Sequence, residues 1–287
     1  MRKDVCVDIR RDAIALVSDV TYKNEKAWYG EAERPLKMSI YLPKHKERCK
    51  KPMPLLVWLC GGALQVVDKD VWMPQLLRFA QEGFVVASVE YRTVNDVPLP
   101  YPLMDVKAAI RYLRRHHEQY CIDPRNVFVM GESAGGMLAS LVGTTGGDKR
   151  FDTGDYLEQS SSVQAVVDFY GLVDLALAYQ ERKHDLIRGV ECLQKVAGDT
   201  VEEREEALKA FSAINHVTPD TPPFMILHGT SDKLVNISQS DAMYEKLKAN
   251  HVPCEYYRFE GCEHGVDNFY QEEVIDWILH FLRSHCQ

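Results

Sequence analysis

The sequence predicts an α/β fold, a mostly parallel central sheet with helices on both faces, and three observations point to it. Short β-rich runs alternate with stretches of helical period, the pattern of βαβ units. The runs LLVWL, FVVASV and VFVM lack polar alternation, as strands covered on both faces do. The segment from Gly171 to Pro223, about 50 residues of helical character without a clear strand, is longer than an ordinary βα connection.

Taken in order, VTYKN and LKMSIYLP are the more polar runs and have no helix between them, so they are expected to form an antiparallel edge. PLLVWLC, FVVASVEY and NVFVM follow, separated by helical stretches at Trp72 to Gln81 and PLMDVKAAIRYLRRHHEQY. GGMLASLVGT reads as a helix directly after NVFVM. The strands VQAVVDFY, FMILHG and CEYYRFE come next, with the helix ISQSDAMYEKLKAN between the last two. In the closing stretch NFYQEEVIDWILHFLRSH, the apolar residues Phe269, Val274, Trp277, Ile278 and Phe281 recur at helical spacing, which makes it a packing element. The chain reads as one domain with a small helical insertion at about 172–222, before the strand FMILHG. That insertion either lies over the carboxyl ends of the strands and shapes a pocket, or forms a pair of peripheral helices.

Composition narrows the function. The 287 residues are 46% hydrophobic and 26% charged, ordinary for a globular enzyme. A formal net charge of -8 argues against nucleic acid and anionic membrane as partners. The most basic run, RYLRRHHEQY from Arg111, is expected to be the solvated face of a surface helix. No stretch approaches the roughly 18 apolar residues of a membrane span, and the charged opening lacks a signal-peptide core, so a cytoplasmic protein with reduced thiols is expected. Cys254 and Cys262 stand on opposite ends of one strand, which argues against a metal site with His264.

The chemistry-bearing residues begin at NVFVMGESAGGMLAS. Gly131-Glu132-Ser133-Ala134-Gly135 is a G-x-S-x-G nucleophile elbow between a buried strand and a helix, and small flanking residues leave room for a sharp turn that lifts the Ser133 hydroxyl. The helix then points its amino end at the site, and the Ala134 N–H is placed to receive an oxyanion. Gly61 and Gly62, after the strand LLVWL, are the expected second source of donors, with Ala63 defining the loop sterically. Asp232 follows FMILHG and is placed to orient a base; His264 follows YYRFE and is placed to be that base. His228 precedes the loop where a catalytic residue would stand and is read as structural. The order Ser133, Asp232, His264, each at a strand end, is the order expected of a hydrolase with this elbow. Such a set needs no metal or organic cofactor.

On the residues VWLCGGA, VVASVEYR, PYPLMDVKAAIRYLRRH, IDPRNVFVMGESAGG, PPFMILHGTSDKLV and EGCEHGV, the chain from Tyr22 onward resembles the hormone-sensitive-lipase-related group of α/β-hydrolases, and more closely bacterial feruloyl and acetylxylan esterase-like proteins. The position of Cys60 is commonly histidine there, opening a His-Gly-Gly-Gly motif; here the motif reads Cys60-Gly61-Gly62-Ala63. The donating groups are backbone amides, so this departure need not abolish the oxyanion hole.

The resemblance implies a serine carboxylesterase acting on O-acetyl or feruloyl esters of xylo-oligosaccharides. Trp72, Tyr91 and Tyr170 are candidate pocket-rim aromatics for stacking on a sugar or cinnamoyl ring, with core packing as the alternative. Two rivals stand beside this reading. A peptidase of the prolyl-oligopeptidase type shares the triad, and a non-catalytic module of the same fold would bind small molecules or proteins without turnover.

Overall fold

The computed structural model describes residues 1–9, 13–44, 51–181 and 201–287. All eight expected strand runs lie in one eight-stranded sheet. The strands are β1 (Ile14–Ala27), β2 (Ala32–Pro43), β3 (Met53–Leu59), β4 (Val85–Val89), β5 (Ile122–Glu132), β6 (Ala165–Phe169), β7 (Phe224–Gly229) and β8 (Cys254–Phe259). Their spatial order is β1-β2-β4-β3-β5-β6-β7-β8. As expected, β1 and β2 form an antiparallel edge, and every pair from β4 onward is parallel.

The helices are α1 (Met73–Gln81), α2 (Tyr101–Arg115), α3 (His117–Tyr120), α4 (Ala134–Thr144), α5 (Leu175–Glu181), α6 (Val201–Ala210), α7 (Ser238–Ala249) and α8 (Glu272–Ser284). Alternation along β3 shows how the two layers arise. Leu55, Val57 and Leu59 face one core with α2, α4 and α7, while Leu56 and Trp58 face the other with α1 and α8. With both faces covered, β3 to β7 need no polar side, which explains their uninterrupted apolar runs.

The insertion expected at about 172–222 contributes α5 and α6, and its middle, 182–200, lies outside the described residues. Its ends are anchored in the sheet-facing core. Val173, Leu175, Leu208, Phe211 and Ala213 are buried there, and the Leu175 N–H donates to Ser212 Oγ at 2.9 Å.

The basic run corrects the sequence reading. Arg111 and Arg114 are buried rather than solvated. Their guanidinium groups close the carbonyls of the segment that crosses α2. Arg111 donates to Asp155 O at 3.2 Å, to Thr153 O and to the Asp152 carboxylate at 2.9 Å. Arg114 donates to Pro124 O at 3.1 Å and to Ser160 O at 2.6 Å. Lys107, also buried, caps Thr145 O at 2.8 Å. Arginine suits this task because one planar group offers five donors to a turn whose carbonyls have lost water. Only Arg115 of the run points outward from α2. Arg111→Ala should therefore destabilise the fold by about 3–5 kcal/mol, and Arg115→Ala by no more than about 0.5 kcal/mol. Urea denaturation of the two variants measures the difference.

Candidate active site

Strand β5 and helix α4 meet at Ser133 with no intervening loop. The serine backbone sits at φ 54° and ψ -119°, a strained conformation that persists only where its surroundings dictate it. They do so through close contacts. A Cβ on Gly135 would lie 2.0 Å from the Leu59 carbonyl oxygen, and one on Gly131 would lie 2.3 Å from the Gly135 oxygen. The Ser133 N–H donates to Phe169 O at 2.9 Å, tying the turn to β6. The Ala134 N–H, at the first helical position, has no intrahelical acceptor.

The loops after β7 and β8 are bonded to each other, which fixes acid against base. Thr230 N–H donates to Phe259 O at 2.9 Å and Ser231 N–H to Cys262 O at 3.0 Å. Asp232 makes hydrogen bonds through both carboxylate oxygens. Its Oδ1 makes an Asx-type turn, accepting from Leu234 N–H at 2.8 Å and Val235 N–H at 2.9 Å. Its Oδ2 lies 2.6 Å from His264 Nδ1, and His264 Nε2 lies 3.0 Å from Ser133 Oγ. Three side chains separated by 131 and 32 residues thus form one hydrogen-bonded line. Burial alone would raise the Asp232 carboxyl, but bonds from His228 and His264 and the Val235 N–H outweigh it and hold the group well below the usual carboxylate range. The acid is therefore held in its ionised form.

The glycine loop after β3 departs from the expected arrangement. Gly61 does not present its N–H to the site, because that N–H donates to Glu132 Oε1 at 2.5 Å. The same oxygen accepts from Trp72 Nε1 at 3.3 Å. Gly62 keeps its place as a donor candidate. Its φ of +124° favours glycine, and a Cβ there would strike Val66 O at 2.2 Å. Among the described residues no acceptor is bonded to the Gly62 or Ala134 N–H. Cys60, at the position commonly histidine in related proteins, is buried, and burial pushes its thiol up to about 12. Its carbonyl accepts from Tyr91 OH at 2.7 Å.

Two of the three candidate rim aromatics are placed elsewhere. Tyr91 is fully buried and braces the Cys60 carbonyl, so it cannot touch a ligand. Tyr170 is also fully buried; its ring packs 4.5 Å from the His264 ring, and its OH lies 3.2 Å from Tyr270 OH. Both belong to the packing behind the site because their hydroxyls find protein partners in the interior. Trp72 is partly exposed and stacks on Tyr270 at 4.2 Å, with its N–H on Glu132. Together Trp72 and Tyr270 border an apolar cavity with Trp58, Phe79, Phe169 and Ile278; at about 10 Å³ it is filled by its own side chains.

Glu132 and Tyr270 were not picked out from the sequence. Glu132 carried one signal, as the variable residue of G-x-S-x-G directly beside the serine. Tyr270 carried none, because its part depends on contacts to Trp72 and Tyr170 from distant elements.

Beneath the elbow lies a second buried acid. Asp168 accepts from Ser140 Oγ at 2.8 Å and Gly171 N–H at 2.9 Å, and so clamps β6 to α4. Burial pushes it up to about 6, against the opposing effect of those bonds and of His228.

Strand order, elbow and the succession Ser133, Asp232, His264 define an α/β-hydrolase. Relatives place it more narrowly. A family model described as BD-FAE matches residues 38–247, and the chain belongs to that family. Esterase LipC of Mycobacterium tuberculosis (strain ATCC 25618 / H37Rv) is 30% identical over 228 residues, covering 78% of this chain and 56% of LipC. The chain spans about half the length of the curated relatives it matches, LipC and the probable carboxylic ester hydrolase LipM among them. A truncated form of a carbohydrate esterase from gut microbiota superposes with a TM-score of 0.74 at 26% identity, covering 94% of this chain and 96% of the other. An acetyl ester-xyloside bifunctional hydrolase from Caldicellulosiruptor lactoaceticus does so with a TM-score of 0.72 at 27% identity, covering 88% and 87%.

Two outcomes follow from the acids around the elbow. Glu132→Ala, which releases the Gly61 loop and Trp72, should lower kcat/KM on p-nitrophenyl acetate by about 10-fold. Glu132→Gln, which keeps an oxygen for the Gly61 N–H, should lose much less. For Asp168 the folded value of about 6 lies above the ordinary 3.8, so the folded state binds this proton more tightly. Its contribution to stability is present below pH 4 and lost as pH rises through 6, about 3 kcal/mol in all. Asp168→Asn should remove that dependence, as read from denaturation midpoints between pH 4 and 7.

Proposed function

We propose that this protein is a serine carboxylesterase in which Ser133 is the nucleophile, His264 the general base and acid, and Asp232 the group that orients it. The observation supporting this reading is the unbroken line Asp232 Oδ2, His264 Nδ1, His264 Nε2, Ser133 Oγ, with steps of 2.6 Å and 3.0 Å. His264 removes the hydroxyl proton as Ser133 Oγ attacks the ester carbonyl, and the Asp232 carboxylate stabilises the imidazolium that forms. The oxyanion of the tetrahedral intermediate is received by the Ala134 and Gly62 N–H groups, whose fixed aim needs no rearrangement during the reaction. His264 then gives its proton to the departing alcohol, and water cleaves the acyl-enzyme with the same roles reversed. Burial of the Cys60 thiol leaves it protonated, so it does not compete as a nucleophile.

The substrates proposed are acetyl or feruloyl esters carried on xylo-oligosaccharides. What supports this class is the structural likeness to a carbohydrate esterase and to an acetyl ester-xyloside hydrolase. Among the described residues no helix is long and apolar enough to cross a membrane, and the six described cysteines are free thiols. Reduced cysteines suit a reducing compartment, where the substrates would be short soluble oligosaccharides.

Purified protein should hydrolyse acetylated xylo-oligosaccharide or methyl ferulate faster than p-nitrophenyl esters of eight or more acyl carbons. Ser133→Ala should reduce kcat by at least about 10³-fold without changing the denaturation midpoint. Cleavage of an acylaminoacyl amide in place of the acetyl ester would move the assignment to the peptidase reading, and failure of Ser133 to react with an organophosphate would leave only a binding role.

A further inference from the structure

His228, at the end of β7, is fully buried and has three polar neighbours. Its Nδ1 lies 2.7 Å from Ser240 Oγ on α7. Its Nε2 lies 2.9 Å from Val235 O and 3.2 Å from Asp232 Oδ2. A carbonyl oxygen only accepts, so Nε2 carries a hydrogen whatever the charge on the ring. That N–H is shared between the Val235 carbonyl and the carboxylate oxygen that also accepts from the His264 Nδ1–H at 2.6 Å. Val235 closes the arrangement, because its own N–H donates to Asp232 Oδ1 at 2.9 Å. Asp232, Val235 and His228 therefore form a hydrogen-bonded ring with both carboxylate oxygens in it.

We infer that His228 is a positioning residue of the triad: its Nε2–H shares Asp232 Oδ2 with His264, holds the carboxylate against rotation and draws off part of the charge that His264 feels. The inference rests on the esterase reading. Its physical basis is that two donors on one anionic oxygen divide its charge, so each partner is stabilised less as a cation than it would be alone. Without His228, Oδ1 keeps its two amide donors, but Oδ2 is held by His264 alone and the side chain can pivot. The ring also couples the base to the rigid sheet, since His228 stands on β7 and Ser240 on α7. The other titratable groups around this pair are Tyr170, whose ring faces both histidines, Asp168 on β6, which interacts with His228, and Glu132, which acts on Tyr170. Beyond them, Glu263 beside His264 is 4.0 Å from Lys233. None of these is altered by the substitutions below.

The test compares His228→Leu and His228→Asn with His228→Gln and Ser240→Ala. Leucine removes every donor. Asparagine keeps a partner for Ser240 but does not reach the carboxylate. Glutamine restores a donor at the Nε2 position. Active sites are counted with an organophosphate, so misfolded protein drops out of the rates. Losing the donor leaves more charge on Oδ2, stabilises the imidazolium and moves the acidic limb of kcat/KM to higher pH. The expected shift in His228→Leu and His228→Asn is about half a pH unit, with kcat per titrated site down about 10-fold. His228→Gln should recover most of both effects, and Ser240→Ala should leave the pH profile in place. In NMR spectra the far-downfield proton of the His264 Nδ1–H bond to Asp232 should move in the first pair only, a readout independent of any substrate. The inference is overturned if His228→Asn, counted by titrated sites, keeps the wild-type profile and the wild-type downfield proton, or if Ser240→Ala shifts them as far. Wild-type protein that neither reacts with the organophosphate nor cleaves any ester would instead overturn the esterase reading itself.

Discussion

A serine held at φ 54° between a strand and a helix is the constraint on which the rest of the site depends. That backbone costs free energy wherever it occurs and survives only when its neighbours leave no alternative. Here the neighbours are β3, whose Leu59 carbonyl touches the Cα of Gly135, and β6, whose Phe169 carbonyl takes the Ser133 N–H. Three adjacent parallel strands and α4 must therefore stand at set distances. The same distances carry the glycine loop after β3 to the amino end of α4, where the Gly61 N–H meets Glu132. Strain at Ser133 and the approach of that loop to α4 are one packing problem.

Three carboxylates surround this elbow, and each meets a different set of donors. Asp232 is held ionised by donors on both oxygens. Asp168, deeper and with two neutral donors, is pushed toward its protonated form. Glu132, half-buried beside the serine, accepts from the Gly61 and Trp72 N–H groups. In a low-dielectric interior the number and kind of hydrogen-bond donors decide which charge persists. Only the first of these acids lies on the hydrogen-bonded line to the serine. The other two hold the elements that frame it.

Much of this was legible in the sequence. Strand runs, edge polarity, the elbow and the succession of strand-end Asp232 and His264 are local patterns, and the structure brings Ser133, Asp232 and His264 within hydrogen-bonding distance as that succession implies. The failures share a cause. Arg111 and Arg114 look like surface charge in a basic run, but they bond carbonyls and the Asp152 carboxylate of a segment about 40 residues later. Gly61 looks like a free donor because nothing in a Gly-Gly pair announces that Glu132 will accept from it. Tyr91 and Tyr170 look like rim aromatics because sequence does not say where a phenol finds its acceptor.

The sequence by itself determined the layered fold and the order of the strand-end residues Ser133, Asp232 and His264, since hydrophobic period and strand-end chemistry are properties of short segments. The tertiary structure alone decided which polar groups are spent on one another: Glu132 on Gly61, Arg111 on Thr153 and Asp155, His228 on Asp232. The reason is physical. A residue's type states how many hydrogen bonds it can make, but a buried donor takes whichever acceptor the packed chain leaves within about 3 Å, and that is a matter of three-dimensional distance.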